Sequence, residues 1–115
     1  MGGMDKSTLI AAASYAGLGV AAFADPRLIP RTMGGSADNF TARSEVRAVY
    51  GGMPLAAAAL LAASPSSRRG IGVITAGFAA GRLASSLIER RLPDRTNAVL
   101  AVAESALAAL ILRGI

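Results

Sequence analysis

Four long stretches of this chain are almost free of charge, and no other feature restricts its architecture as strongly. Ser7 to Ala24 contains no Asp, Glu, Lys or Arg. Wound as a helix at 1.5 Å per residue, it is about 27 Å long, close to the hydrocarbon thickness of a bilayer. Asp25, Pro26 and Pro30 stop this helix, because proline has no amide hydrogen to continue the ladder, and the polar stretch through Asn39 is expected to be the longest connection. A second apolar segment runs from about Thr41 to Ala63. A third, Gly70 to Glu89, is interrupted only by Arg82, and a fourth, Asn97 to Leu112, only by Glu104. Ser64 to Arg69 and Arg90 to Arg95 read as tight polar turns, with Thr96 as the expected N-cap of the last helix. The prediction is an all-α fold: a single integral membrane four-helix bundle of antiparallel up-down topology over residues 1–115, with helices at about 7–24, 41–63, 70–89 and 96–112.

Alanine supplies much of the apolar content, and it is nearly neutral in membrane insertion, so a soluble alanine-rich bundle has to be weighed. A soluble bundle would put a polar face on each helix, and Ala56 to Ala63 and Ala98 to Ala103 have none. A second alternative is a cleaved signal peptide, since Lys6 precedes an apolar run ending in Ala22-Phe23-Ala24, an A-x-A pattern. The run is long for a signal core, and cleavage would leave three helices without a packing partner; the first helix is expected to be retained.

The chain has no cysteine and no histidine, which removes thiolate nucleophiles, disulfides and the commonest metal ligand and general base. Catalysis would rest on the seven carboxylates, a hydroxyl or a borrowed cofactor, so a noncatalytic protein without cofactor or metal is the favoured expectation. The net charge of +5 comes with only five aromatics, and the arginines flank apolar segments. That arrangement suits anionic lipid headgroups rather than nucleic acid. The expected partners are membrane lipids, with a homo-oligomer or a larger membrane complex as further alternatives, and the expected location is a multi-pass position in a bacterial cytoplasmic (inner) membrane. Lys6, Arg68, Arg69 and Arg113 lie on the face holding both termini, and Arg27, Arg31, Arg43, Arg90, Arg91 and Arg95 on the other. Six against four orients both termini away from the cytoplasm, with dual topology as the alternative.

The charges inside the apolar segments carry the functional signal. Counted from the face that holds the first and third connections, Arg47, Arg82 and Glu104 all lie roughly 9–12 Å deep. An unpaired charge at that depth is costly, so these residues are expected to face inward and pair, with Glu45 bringing the set to neutrality. Tyr50 and Ser85 complete a hypothetical polar network of Glu45, Arg47, Tyr50, Arg82, Ser85 and Glu104. It can act as a clasp that fixes helix register, the favoured reading, or as a site for a small polar group, ion or lipid headgroup. Gly51, Gly52 and Pro54 predict a kink beside Arg47, because Pro54 cannot donate to the Tyr50 carbonyl. Gly77 and Gly81 have the G-x-x-x-G spacing that lets helices approach closely, and packing within the chain is expected there in preference to dimerisation.

These same residues carry a resemblance. Glu45-Val46-Arg47-Ala48-Val49-Tyr50-Gly51-Gly52, Gly81-Arg82-Leu83 followed by Ser85, Glu104, and an early Asp25-Pro26 resemble the bacterial membrane family catalogued as domain of unknown function 4345. The likeness spans most of the chain. It implies a compact four-helix membrane protein and singles out the charged residues already named, without implying an activity, cofactor or substrate. The small multidrug resistance transporters have a similar length, but they work around a glutamate in their first helix, and this chain has no acidic residue there and no tryptophan. The expected function is therefore an accessory or lipid-interacting membrane component. A subunit of an oligomeric small-molecule or ion transporter is the first alternative, and a membrane enzyme using a carboxylate as acid or base is the second.

Overall fold

A computed structural model describes residues 4–113, and these residues form helices and connections only. Helix α1 spans Lys6–Ala24, α2 Leu28–Thr32 and α3 Phe40–Val46; a π-helical stretch Arg47–Gly52 follows, then α4 Met53–Ala63, a 3-10 turn Pro65–Ser67, α5 Arg68–Glu89 and α6 Arg95–Arg113. From α3 through α4 the chain is one rod, so four helices are long and apolar enough to cross a membrane: Lys6–Ala24, Phe40–Ala63, Pro65–Glu89 and Arg95–Arg113. The expected all-α, four-helix membrane architecture is the one observed.

Local chemistry sets the ends. Asp5 caps α1 by accepting the Thr8 amide at 2.8 Å. That backbone donor holds the Asp5 carboxyl below its ordinary range. Asn39 caps α3 in the same way through Ala42. The cap of α6 differs from the expectation: Asp94, not Thr96, accepts the Asn97 amide at 2.8 Å, which starts the helix at Arg95. The long connection also contains a helix the sequence reading did not anticipate. Pro30 stands inside α2 rather than ending a helix, since a proline in the first turn sacrifices no hydrogen bond. Near the expected kink, the Met53 amide reaches back five residues to Ala48, so the turn widens into a π segment instead of breaking before Pro54.

Packing divides the helices into two hairpins. The α3–α4 rod lies along α1, and α5 lies along α6; the main contact between the hairpins is α1 against α6. Three glycines make this possible. A Cβ on Gly19 would fall 2.6 Å from Leu55 and 2.9 Å from the Gly51 carbonyl, one on Gly51 would strike the Phe23 ring, and one on Gly72 would fall 2.6 Å from Leu112. Gly77 and Gly81 behave otherwise. Both are exposed, and a Cβ on either would meet no other helix within 4 Å, so the G-x-x-x-G face is not a packing face among the described residues, contrary to expectation. The physical reason lies on the opposite side of α5, where Ile71, Gly72, Thr75 and Ala79 already provide its buried stripe.

The core is lopsided. One cluster, Ala11, Ala12, Tyr15, Leu61, Ile71 and Ile111, draws on all four long helices and sits toward the end that carries the Pro65–Ser67 turn. There the Arg68 Nε donates to the Leu61 carbonyl at 2.9 Å. Between the hairpins, the Tyr15 hydroxyl meets the Thr75 hydroxyl. Thr75 spends its single hydrogen on the Ile71 carbonyl at 2.7 Å, so Tyr15 is the donor. The second cluster, Ala22, Ala37 and Val46, belongs to the first hairpin and its connection alone. At that opposite end α5 has no buried residue after Ala79 and α6 none before Ala101. The bundle is thus closed at one end and parted at the other, and its Cα extents of 46 × 34 × 17 Å describe a slab rather than a square bundle.

Large apolar side chains cover the outside: Val20, Val73, Ile74, Val99 and Val102 are all more than half exposed, and Leu87, Ile88 and Leu92 are 79%, 80% and 87% exposed. Water-soluble monomers do not carry such a continuous apolar surface, whereas acyl chains solvate it.

Candidate functional site

At the parted end, α5 and α6 bring together one compact polar group. Arg82 projects from α5 about ten ångströms before the helix ends, and Glu104 projects from α6 to meet it. The pairing is bidentate: Nε donates to Oε1 at 2.7 Å and Nη2 to Oε2 at 3.1 Å. The fork of the guanidinium matches the two carboxylate oxygens, and the charge-assisted bonds hold both planes in register. The two side chains are 23% and 18% exposed, so the pair is only partly desolvated. Asn97 is the third member. Its Oδ1 accepts Arg82 Nη1 at 3.1 Å, from a position two turns before Glu104 on the same face of α6.

Of the six residues named from sequence, the structure therefore brings Arg82 and Glu104 into contact, with Ser85 one turn from Arg82 and lining the same groove. Arg47 is not part of this group. Its Nε donates to the Phe23 carbonyl at 3.3 Å, tying the π segment to the end of α1 within the first hairpin. Glu45 is exposed, and the ion pairs among the described residues do not include it. Tyr50 packs against the Ala22–Val46 cluster, within electrostatic range of Arg82. Equal depth placed Arg47 with Arg82, but depth carries no information on which hairpin faces which.

Sequence reasoning missed Asn97 and Asp94. A signal was present for both: Asp94 stands three residues before Asn97, the spacing of a side-chain cap, and Asn97 stands seven before Glu104, the spacing of a shared helix face.

Two adjoining cavities open here. The smaller, about 160 Å³, is a groove between the end of α5 and the start of α6, and Arg82, Ser85, Ser86 and Glu89 all line it. The larger, about 400 Å³, lies between Thr32, Met33 and Gly34 of the first connection and Arg82, Asp94, Thr96 and Asn97 of the second hairpin. Gly34 turns the chain toward it with φ of 79°, a backbone region that suits glycine. Among the described residues no cluster of three acidic side chains could hold a metal ion.

A family model described as domain of unknown function (DUF4345) matches residues 5–114. The chain belongs to the DUF4345 family. All four membrane-length helices of the DUF4345 domain fall inside the match, as do Arg82, Asn97 and Glu104. No curated protein and no solved structure matches the chain. The family establishes kinship and agrees with the fold of a small membrane protein; it brings no activity to the DUF4345 domain.

Proposed function

We propose that this protein is a noncatalytic, lipid-interacting accessory component of the bacterial cytoplasmic membrane, and that its lipid site is the cleft at the parted end of the two hairpins. The observation that carries the reading is the position of the Arg82–Glu104–Asn97 group: a paired polar centre on the wall of a cavity, next to an apolar surface made for acyl chains. A cavity of several hundred cubic ångströms with a few convergent polar groups is the ordinary form of a small-molecule site. The cleft opens among the connections at one end of the bundle, near the exposed Leu87, Ile88 and Leu92, and a polar centre beside such an apolar surface suits an amphiphile. The Arg82–Glu104 pair serves as a clasp that fixes α5 on α6 and so shapes the cleft, while the remaining hydrogen-bonding capacity of Arg82 and Asn97 is directed to the ligand.

The test is native mass spectrometry of the full chain purified in mild detergent. Phospholipid is expected to stay bound to the wild type after detergent exchange. The apolar double replacement Arg82→Met with Glu104→Leu is expected to keep the fold but lose that lipid. Wild-type protein that emerges free of lipid would overturn the proposal.

A further inference from the structure

The larger cavity carries hydrogen-bonding groups that the helices do not use, and their balance specifies a headgroup. Arg82 has five N–H groups; Nε and one hydrogen of Nη2 go to Glu104, and one of Nη1 goes to Asn97. Two remain, one on each terminal nitrogen. The Asn97 amide accepts through Oδ1, so its two Nδ2 hydrogens remain as well. Asp94 caps α6 through Oδ1 alone, and among the described residues its Oδ2 has no partner and its carboxylate no ion pair. One wall of the cavity thus offers a cluster of donors, and one helical turn away, about 4.5 Å along α6, it offers a carboxylate oxygen.

The charge is as informative as the geometry. Within the larger cavity Glu104 already neutralises Arg82, so Asp94 is the one charged side chain of its lining left without an opposite charge, and Glu89 and Arg91, which line the adjoining groove, offset each other. A ligand of net negative charge would bring an oxyanion to the donors but repulsion to Asp94. A zwitterion with an oxyanion at one end and an ammonium carrying N–H groups at the other satisfies both.

Resting on the lipid reading above, we infer that the cleft selects a phospholipid with a primary-amine zwitterionic headgroup, its phosphate on Arg82 and Asn97 and its ammonium on Asp94. Phosphatidylethanolamine has this chemistry, with two carbons between the phosphate oxygen and the ammonium. Phosphatidylglycerol lacks the cation, and phosphatidylcholine has a quaternary nitrogen with no hydrogen to donate.

The experiment offers the detergent-solubilised full chain an equimolar mixture of these three lipids and reads the retained species by native mass spectrometry. The wild type is expected to retain phosphatidylethanolamine about tenfold over each of the others, the discrimination of one charge-assisted hydrogen bond. Asp94→Asn keeps a capping oxygen for α6 but removes the charge, and it is expected to bring the three lipids to near parity. Equal retention of the three lipids by the wild type would overturn the headgroup assignment while leaving the lipid site standing; that comparison needs no variant. Undiminished selectivity in Asp94→Asn would also overturn it. Displacement of the lipid by soluble O-phosphoethanolamine at matched concentration would overturn a lipid as the source of the headgroup. Protein that retains no lipid at all would overturn the functional proposal itself.

Discussion

At the scale of single residues, the bidentate contact of Arg82 with Glu104 is the most consequential interaction in the chain. Removing one partner leaves the other charge in a partly desolvated place, and that penalty exceeds the net value of the bond. Glu104→Gln is expected to lower the unfolding free energy in detergent by roughly 1–3 kcal/mol, and Arg82→Met by a similar amount. The double variant should cost less than the two losses together, because residues in direct contact are coupled. Arg47→Met should change stability by less than about 1 kcal/mol, since its side chain meets only a backbone carbonyl near the surface. Additive losses for Arg82 and Glu104, or a loss at Arg47 as large as theirs, would contradict this assignment. The arginine and the glutamate were both legible in the sequence, because charges are scarce within apolar segments and must find partners. Asn97 was hidden because a polar amide near a helix start reads as part of the turn.

At the scale of elements, close approach depends on which side of each helix is small. Gly19 sits where α1 touches both Leu55 and the Gly51 carbonyl, and a backbone oxygen cannot turn aside as a side chain can. Gly19→Ala is therefore expected to separate α1 from the α3–α4 rod and lower the thermal midpoint, at a cost of roughly 1–3 kcal/mol. Gly81→Ala meets open space and should leave the midpoint unchanged or raise it, because alanine loses less backbone entropy in a helix. Thermal unfolding of both variants in one detergent checks the contrast, and a destabilised Gly81→Ala would show that something outside the described chain packs there. The presence of four long apolar helices was readable from length and hydropathy, because each run is a local property of the chain. The π segment was readable only as a kink. Pro54 signals that the Tyr50 carbonyl loses its donor, but not whether the chain bends or widens to accommodate the loss.

At the scale of the whole molecule, the antiparallel arrangement puts the Pro65–Ser67 turn and the Asp25–Asn39 connection on opposite faces. The absence of native cysteine makes this simple to check. Single cysteines at Ser66 and Ser36, both exposed, should react from opposite sides of intact cells with a membrane-impermeant maleimide. Labelling of both from one side would contradict the four-span arrangement. The sequence conveyed the number and alternation of the spans, since each is a local property. It did not convey the division into two hairpins with a parted end. That follows from which narrow stripes of small residues face each other, and alanine and glycine are too evenly spread along the chain to mark the stripes in advance.

The slab is 17 Å across its narrow direction, little more than two helices laid side by side, whose axes pack 8–10 Å apart. A molecule of this shape has a long perimeter for its mass, so acyl chains act on it as a solvent over most of its side chains rather than only at a rim. Its tertiary stability should respond to the quality of that solvent: chain length, unsaturation and lateral pressure would each act on a large fraction of the residues at once. A square bundle of the same sequence length would conceal more of itself and feel the bilayer less.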